Sequence, residues 1–138
     1  MDLRIYSDGA SRGNPGPSAI AFMILTKEGK ILKTHSECTG VKTNNQAEYT
    51  ALIAALESAS KFEKENVEVY LDSELLVKQV NGEYKVRNKD LKTLWLNVQK
   101  LRQEFACVTF THIPRSDSYI QRVDKLVNNA LDGRILLN

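Results

Sequence analysis

The sequence predicts an α/β fold: a five-stranded mixed sheet, its first three strands antiparallel, covered by helices in the order βββαβααβα. Three strand-like segments follow one another near the start of the chain with short breaks between them, as in an antiparallel meander. From residue 44 onward, apolar residues at helical spacing alternate with short β-branched runs. Hairpin strands followed by strand–helix alternation indicate a mixed sheet with helices packed against it.

The first three strands are predicted from alternation and from turn residues. Residues 3–8 alternate apolar and polar side chains, and residues 19–26 form a nearly continuous apolar run. The segment between them, 9–18, is rich in glycine and proline and is predicted to be a loop. A tight turn at 28–29 leads to a third strand over 31–39, and a loop then extends to residue 44.

Two helices are predicted from caps and apolar faces in the middle of the chain. Thr43 or Asn44 can cap a helix that runs to about residue 60 and carries a wide apolar face. After a short fourth strand at 67–71, Asp72 or Ser73 can cap a second helix that ends at an Asn-Gly pair.

The remaining elements are a helix, a strand and a final helix. Apolar residues at helical spacing predict a helix over 90–105; they are Leu91, Leu94, Trp95, Val98 and Leu101. Trp95 lies on this apolar face, so we expect it in the core rather than on a stacking surface. A fifth strand at 108–113 and a polar loop lead to a last helix from about 122 to 131, with Asp124 at its start.

Composition indicates one domain spanning residues 1–138. Of these 138 residues 42% are hydrophobic, which is enough for one core. No apolar stretch approaches the roughly 18 residues of a membrane helix, and the N-terminus lacks the apolar region of a signal peptide. Cys38 and Cys107 lack metal-type spacing, so we expect reduced thiols in a cytoplasmic protein. Nothing demands an obligate protein partner, and a monomer is expected.

The charge is unevenly distributed along the chain. The net charge is only +2, yet seven Lys or Arg stand against two acids between residues 78 and 102, and the rest of the chain is net negative. A basic segment beside an acidic cluster suggests a phosphate-rich polymer held near a metal site. A solvated helix face explains the basic segment equally well when it is considered alone.

Four acidic residues stand far apart in the sequence, each near the point where a regular element meets a polar break: Asp8, Glu48, Asp72 and Asp124. Two like charges 4 Å apart repel by about 4 kcal/mol at an effective dielectric constant of about 20, so a converged set requires cations. Oxygen ligands without His or Cys favour a hard ion such as Mg²⁺. Taken singly, Asp72 and Asp124 are equally well explained as helix N-terminal residues that complement the helix dipole.

Four segments, in this order, resemble the type 1 ribonuclease H family and cover nearly the whole chain. They are DGASRGNPGP at 8–17, TNNQAEYTAL at 43–52, LDSELLVKQVNGEYKVRNKDL at 71–91 and VDKLVNNAL at 123–131. A lone Asp-Gly or Asp-Ser pair carries no information, whereas four segments in register are specific. The resemblance implies the ribonuclease H-like fold, a five-stranded mixed sheet with three antiparallel first strands.

The resemblance also implies an activity and its metals. Members of the family are endoribonucleases that hydrolyse the RNA strand of RNA–DNA hybrids without sequence preference, leaving 5′-phosphate ends, with two Mg²⁺ ions; Mn²⁺ is an alternative. Asp8, Glu48, Asp72 and Asp124 each fall on a catalytic, metal-binding position. By that analogy Asp8 bridges both metals, Glu48 and Asp72 complete one site, and Asp124 completes the other. Two such ions activate the attacking water and stabilise the leaving oxygen.

Seven further residues fall where the family contacts nucleic acid. Ser11, Gly13 and Asn14 match contacts to the RNA strand, Asn44 and Asn45 match contacts to minor-groove base edges, and Thr43 and Asn88 match positions at a DNA-strand phosphate. Without the family, Asn14 is explained as a turn residue, and Thr43, Asn44 and Asn88 are explained as helix caps. Contacts of this kind predict salt-sensitive binding with little sequence preference.

The segment between the second and third helices is shorter than in some family members. The basic, Trp-rich protrusion that those members carry is absent here. Binding of the DNA strand would then depend on neighbouring cations, namely Lys85, Arg87, Lys89 and Lys92.

The segment before the last aspartate also departs from the pattern. Ile120 stands where the family often has Asn or Glu, and Val123 stands where it often has Ala. These differences predict an altered loop before Asp124. Asp117 is an alternative carboxylate in that loop. His112 stands two residues before the family's loop histidine. We expect it at the end of the fifth strand, facing the edge of the site.

Two other hypotheses remain open on the sequence. The altered segment around Ile120 would suit a non-catalytic module that binds hybrids or double-stranded RNA. A ribonuclease H domain of a reverse transcriptase is the other, although a start at Met1 directly on the first strand favours a stand-alone protein. A transposase or junction resolvase shares the carboxylate pattern, but TNNQAEY and NGEYKV speak against it.

Overall fold

A computed structural model describes residues 2–62 and 65–137, with side chains described up to residue 133. Its sheet has the spatial strand order β3-β2-β1-β4-β5. The strands are β1 (Leu3–Ser11), β2 (Gly16–Thr26), β3 (Ile31–Lys42), β4 (Asn66–Leu71) and β5 (Cys107–His112). β2 pairs antiparallel with β1 and β3, whereas β4 is parallel to both β1 and β5. The predicted mixed sheet is confirmed.

Three of the four helices in the described part of the chain begin at side-chain caps that the sequence predicts. The helices are α1 (Asn44–Ala59), α2 (Glu74–Val80), α3 (Lys89–Arg102) and α4 (Ser118–Leu137). Thr43 caps α1 in a capping box with Gln46, Ser73 caps α2, and Asn88 caps α3. None of the helices in the described ranges is long and apolar enough to span a membrane.

The helices cover the two faces of the sheet unequally. α1, α2 and α3 pack on one face, around a core that includes Leu3 and Ile5 of β1. α4 alone covers the other face, where it contacts β1, β2 and β3 and buries residues around Tyr6. Because successive strand residues point to opposite faces, Asp8 shares the α4 face with Tyr6.

The prediction of a long loop at 9–18 is wrong, because most of that segment is strand. β1 and β2 stay paired through Ser11 and Ser18, and a hydrogen bond from Arg12 N to Pro17 O (2.8 Å) closes the turn. Gly16 pairs with Lys42, so β3 also runs past its predicted end. Gly13 and Pro15 lie in the turn itself, whereas Gly9, Gly16 and Pro17 belong to the paired strands.

The start of the last helix was also predicted wrongly. α4 begins at Ser118, where Oδ1 of Asp117 accepts hydrogen bonds from Tyr119 N (2.9 Å) and Ile120 N (3.0 Å). Ile120 and Val123 are buried against the sheet. They therefore belong to the packed face of a helix, and the altered loop predicted at these positions does not exist.

The third helix ends earlier than predicted, at Arg102 instead of residue 105. Phe105 lies beyond the helix and is buried in the core. Trp95 packs against that core, as predicted, and its indole N–H donates to the backbone oxygen of Gln79 at 2.9 Å.

Candidate active site

The parallel pairing of β1 with β4 places Asp8 beside Asp72. Tyr6 is paired with Tyr70 in this ladder, and their rings stack with centroids 5.2 Å apart. Each aspartate follows its tyrosine by two residues, and side chains on one face of a strand recur every second residue. The two carboxylates therefore meet at one edge of the sheet, with Asp72 just beyond the end of β4, as predicted.

Glu48 comes to the same edge because a glycine lets α1 touch β1. A Cβ atom at Gly9 would collide with the carbonyl oxygen of Ala47 and would lie only 2.9 Å from the backbone nitrogen of Glu48. Any side chain at position 9 would therefore push α1 away from the strand. Gly9 was predicted in a loop, and only the packing of the helix on the strand reveals what it does.

Asp124 approaches from the opposite face of the sheet, on α4. It lies in the second turn of this helix and not at its start. The side-chain amide of Asn128 donates to Asp124 Oδ2 at 3.3 Å and to the Asp124 backbone oxygen at 3.1 Å. The carboxyl of Asp124 is also within hydrogen-bonding reach of Asp8.

The four predicted carboxylates line one cavity of about 540 Å³. Asp8 is at its base, with 9% of its surface exposed, whereas Asp124 is exposed at the rim. The other polar residues of the lining are Asn44, Ser73, Glu74, Arg115, Gln121 and the backbone of Gly9. The structure thus brings the four acids to one place, although they come from β1, from the residue after β4, and from α1 and α4.

Burial and mutual repulsion hold protons on this cluster. Burial raises the pKa of Asp8 to about 8, and the carboxylates of Asp72 and Asp124 add to the effect. Burial also raises the pKa of Glu48 to about 7, although hydrogen bonds from Ser73 and Asn44 oppose it. The pKa of Asp72 is raised by burial too, with Arg115 acting in the opposite direction. A nearby cation would release these protons and relieve the repulsion.

The donor set fits a hard divalent ion, because it consists of carboxylate oxygens beside amide and hydroxyl groups. Within residues 2–62 and 65–137, however, no three acidic, His or Cys side chains are close enough together to hold a metal ion. An ion at this edge would therefore take part of its coordination from water or from a bound phosphate.

Arg115 and Ser73 belong to the site but were not singled out from the sequence. Arg115 Nε lies 3.7 Å from Asp72 Oδ2. The side chain of Arg115 is 91% exposed, whereas the side chain of Asp72 is 16% exposed. The hydroxyl of Ser73 hydrogen bonds with Glu48. An arginine in a polar loop gives no local signal in the sequence that it faces the acids.

Three of the predicted nucleic-acid residues form a hydrogen-bonded group beside Glu48. Asn44 Oδ1 accepts from Ser11 N at 3.3 Å, and Asn14 Oδ1 accepts from Asn44 N at 3.0 Å. Asn44 Nδ2 donates to Glu48 Oε1 at 2.8 Å. The turn after β1 and the first turn of α1 are therefore connected directly to one of the carboxylates.

The other predicted nucleic-acid residues lie in the turn and at the starts of α1 and α3. Gly13 has a φ of 108°, a conformation that favours glycine, in the turn between β1 and β2. Thr43 is the cap of α1, and Asn45 is exposed in the first turn of that helix. Asn88 is the exposed cap of α3.

A second cavity, of about 500 Å³, lies between the end of α2 and the start of α3. Its lining consists of Gly82, Tyr84, Lys85, Val86, Arg87, Lys92 and Trp95. Three cations without an acid in this lining form a surface suited to a polyanion. This cavity contains three of the four cations proposed for the DNA strand from the sequence; the fourth, Lys89, begins α3.

His112 ends β5, as predicted, and pairs there with Leu71. It is exposed, and its charge lowers the pKa of Asp72 as a minor contribution. His112 therefore lies near the edge of the carboxylate cavity without lining it.

The chain matches known proteins over most of its length. A family model described as reverse transcriptase-like matches residues 6–130. Ribonuclease HI of Halobacterium salinarum is 42% identical over 130 residues, which are 94% of this chain and 64% of that protein. The bifunctional protein Rv2228c of Mycobacterium tuberculosis is 36% identical over 96% of this chain and 36% of its own length. The chain thus spans between about a third and about two thirds of these curated relatives.

Solved structures agree with the sequence comparison. The crystal structure of RNase H1 from Halobacterium salinarum superposes with a TM-score of 0.91 and 40% identity, covering 96% of this chain and 99% of that one. The crystal structure of LC11-RNase H1 in complex with an RNA/DNA hybrid gives a TM-score of 0.89 at 40% identity, with the same coverage of both chains.

Proposed function

Because this chain belongs to the ribonuclease H family, we propose that it is an endoribonuclease that hydrolyses the RNA strand of RNA–DNA hybrids. The observation that carries the proposal is the meeting of Asp8, Glu48, Asp72 and Asp124 in one cavity beside the turn at 12–15. We further propose that residues 1–138 act as a single, monomeric, cytoplasmic domain that cuts without sequence preference and leaves 5′-phosphate ends.

The four carboxylates would hold two Mg²⁺ ions when substrate is bound, and Mn²⁺ would serve as well. Such ions supply an activated water and a stabilised leaving oxygen. Asp8 is placed between the other acids, next to Asp72 on the neighbouring strand and within reach of Asp124, so it is the candidate for the shared ligand. Ser73 and Asn44 hold the Glu48 carboxylate from both sides.

The RNA strand would contact the turn between β1 and β2. Ser11, Gly13 and Asn14 lie there, and Asn44 connects them to Glu48. Backbone groups at a turn with a glycine at positive φ can approach a sugar closely, which suits recognition of the 2′-hydroxyl. Asn45 would extend this surface towards the base edges of the minor groove.

The DNA strand would contact the second cavity and the helix caps beside it. Thr43 and Asn88 would hold a phosphate, and Lys85, Arg87 and Lys92 would neutralise its neighbours. Lys89, at the start of α3, would extend the same basic surface. The cations of this cavity would take over the binding of the DNA strand from the basic protrusion that some family members carry.

The binding-module hypothesis loses its support in this structure. It was based on an altered loop at Ile120 and Val123, but both residues are buried on α4 and leave Asp124 in the cavity. The reverse-transcriptase hypothesis concerns the length of the natural protein, and a polymerase domain in the same reading frame would support it.

The test is cleavage of a labelled RNA–DNA hybrid, with double-stranded RNA and double-stranded DNA as matched substrates. We expect the wild type to cut the hybrid's RNA strand in Mg²⁺ or Mn²⁺, and Asp8→Asn to lose the activity while still binding the hybrid. Wild-type activity in Asp8→Asn would refute the proposed mechanism. Tight hybrid binding by the wild type without cleavage in either metal would instead support the hypothesis of a non-catalytic binding module.

Free protein should bind Mg²⁺ weakly, because the carboxylates do not enclose an ion without further oxygen ligands. Titration calorimetry with and without a non-cleavable hybrid measures this directly. A tight Mg²⁺ site in the free protein would contradict the expectation.

A further inference from the structure

The side chain of Arg12 attaches the turn between β1 and β2 to α4. Its Nη2 atom lies 2.7 Å from Asp132 Oδ1 and donates to the backbone oxygen of Asn128 at 3.4 Å. Arg12 stands between Ser11 and the Gly13–Asn14 pair, which are the proposed RNA contacts. The contact therefore joins the substrate side of the site to the helix that carries Asp124.

The contact on α4 falls on a residue that already orients Asp124. Asn128 donates from its amide to Asp124 Oδ2, while its backbone oxygen receives the Arg12 guanidinium. One turn further on, Asp132 supplies the charge that fixes Arg12. A movement of the turn would thus displace Asn128 on α4, which lies one helical turn from Asp124.

The opposite side of the same turn is attached to α1. Asn44 connects Ser11 and Asn14 to Glu48 through three hydrogen bonds of 2.8–3.3 Å. Residues 11–14 are therefore held between two helices, and each helix carries one of the carboxylates.

We propose that Arg12 is a positioning residue that keeps the RNA-contacting turn in register with Asp124, with Asp132 as its anchor. The proposal rests on the proposed function, because it concerns alignment of the hybrid with the carboxylates. An exposed ion pair contributes little to stability, so the effect is on geometry. Loss of alignment lowers the rate of the chemical step even when binding persists.

Direct binding of a phosphate by Arg12 is the competing explanation, and Asp132 distinguishes the two. Asp132→Asn keeps the Arg12 charge but removes its anchor. If Arg12 acted only on phosphate, Asp132→Asn would leave kcat unchanged, and Arg12→Gln would raise KM with a strong dependence on salt.

The first measurement is hybrid cleavage by Arg12→Gln, Asp132→Asn and the double variant. We expect each single variant to lower kcat about threefold to tenfold, and the double variant to be no worse than Arg12→Gln, because both remove one coupling. Arg12→Lys, which can still pair with Asp132, should recover part of the loss. Lys27→Gln is the control, since Lys27 forms a similar exposed ion pair with Asp2 at the far end of the hairpin.

The second measurement needs neither metal nor substrate. Hydrogen exchange on the metal-free protein should be faster at residues 11–14 in Arg12→Gln and in Asp132→Asn, and unchanged in Lys27→Gln. Unchanged exchange in both variants, or multiplicative losses of kcat in the double variant, would overturn the proposal. If the wild type cuts no hybrid, the proposed function fails, whereas the exchange result still decides whether Arg12 holds the turn.

Discussion

The two sides of the carboxylate cavity are built in different ways. On the β1–α1 side, Asp8 is buried and is placed by the pairing of β1 with β4, and Glu48 is half-buried and is placed by the backbone contact at Gly9. On the α4 side, Asp124 and Arg115 are exposed and are placed by polar contacts between side chains. The first side has little freedom to adjust. Repulsion from the neighbouring carboxylates raises the pKa of Asp8 on this side. The second side is open to solvent, which suits the side of a site that would admit a nucleic acid.

The largest expected effect comes from breaking the backbone contact on the buried side. Gly9→Ala would place a methyl group against the Ala47 carbonyl, so α1 and Glu48 must shift. We expect cleavage to fall by about a hundredfold, as for a misplaced catalytic group, and unfolding free energy to fall by about 1–3 kcal/mol. Hybrid cleavage and urea denaturation measure the two effects.

Gly133→Ala is the matched control for that variant. Gly133 lies in α4, where an added Cβ meets nothing within 4 Å. Alanine should be neutral or stabilising there, because it favours a helix. Equal losses in the two glycine variants would mean that the close contact at Gly9 is unimportant.

Removing the buried charge should have an effect on stability that depends on pH. Because the pKa of Asp8 is raised from 3.8 to about 8, the folded protein keeps a proton that the unfolded chain releases between those values. Asp8 therefore lowers stability progressively as pH rises through this window, and contributes no penalty below the unfolded pKa. Asp8→Asn should raise the melting temperature increasingly from about pH 4 to about pH 8.

One pKa unit corresponds to about 1.4 kcal/mol, so we expect Asp8→Asn to gain at least about 2–4 °C at the alkaline end. Thermal unfolding in the presence of a chelator measures the gain. Glu28→Gln, at an exposed carboxylate after β2, is the control and should change little. A gain in melting temperature that is the same at the acidic and the alkaline end of this pH window would show that Asp8 is not the source of the repulsion.

A smaller effect is expected on the exposed side. Arg115 lowers the pKa of Asp72 and of Glu48, and it lines the cavity. Arg115→Ala should reduce kcat/KM about tenfold, which is less than the loss for a buried donor aimed at the developing charge because Arg115 is exposed, with no change in stability. Arg122→Ala removes an exposed arginine that contacts Tyr119 and does not line the cavity, so it should remain active. Similar losses in both variants would indicate a general effect of charge.

The smallest effect is expected at the second cavity. Lys85→Gln and Lys92→Gln should each raise KM a few-fold and reduce the slope of log K against log salt by about 1, as for a lost phosphate contact. The kcat value should not change, because these residues lie away from the carboxylates. Binding titrations at several salt concentrations measure the slope, and an unchanged slope in both variants would place the DNA strand elsewhere.

Local signals explain which parts of the fold could be predicted from the sequence. Thr43, Ser73 and Asn88 cap helices through hydrogen bonds to residues three positions away, so their effect is visible within a short segment. The first three strands follow from alternation at 3–8, an apolar run at 19–26 and a tight turn before 31–39, which are also local patterns. The carboxylates were found because their residue types and the family segments are themselves in the sequence.

The sequence by itself determined the strand and helix order, the helix caps and the four acids, because each depends on neighbours along the chain. Tertiary structure decided the rest. α4 begins at Ser118 because Ile120 and Val123 gain burial against β1 and β2, far away in sequence. Gly9 is required because α1 packs on it, and Arg115 faces Asp72 only after β4 and α4 are in place. Such contacts join residues separated by tens of positions, and no local pattern encodes them.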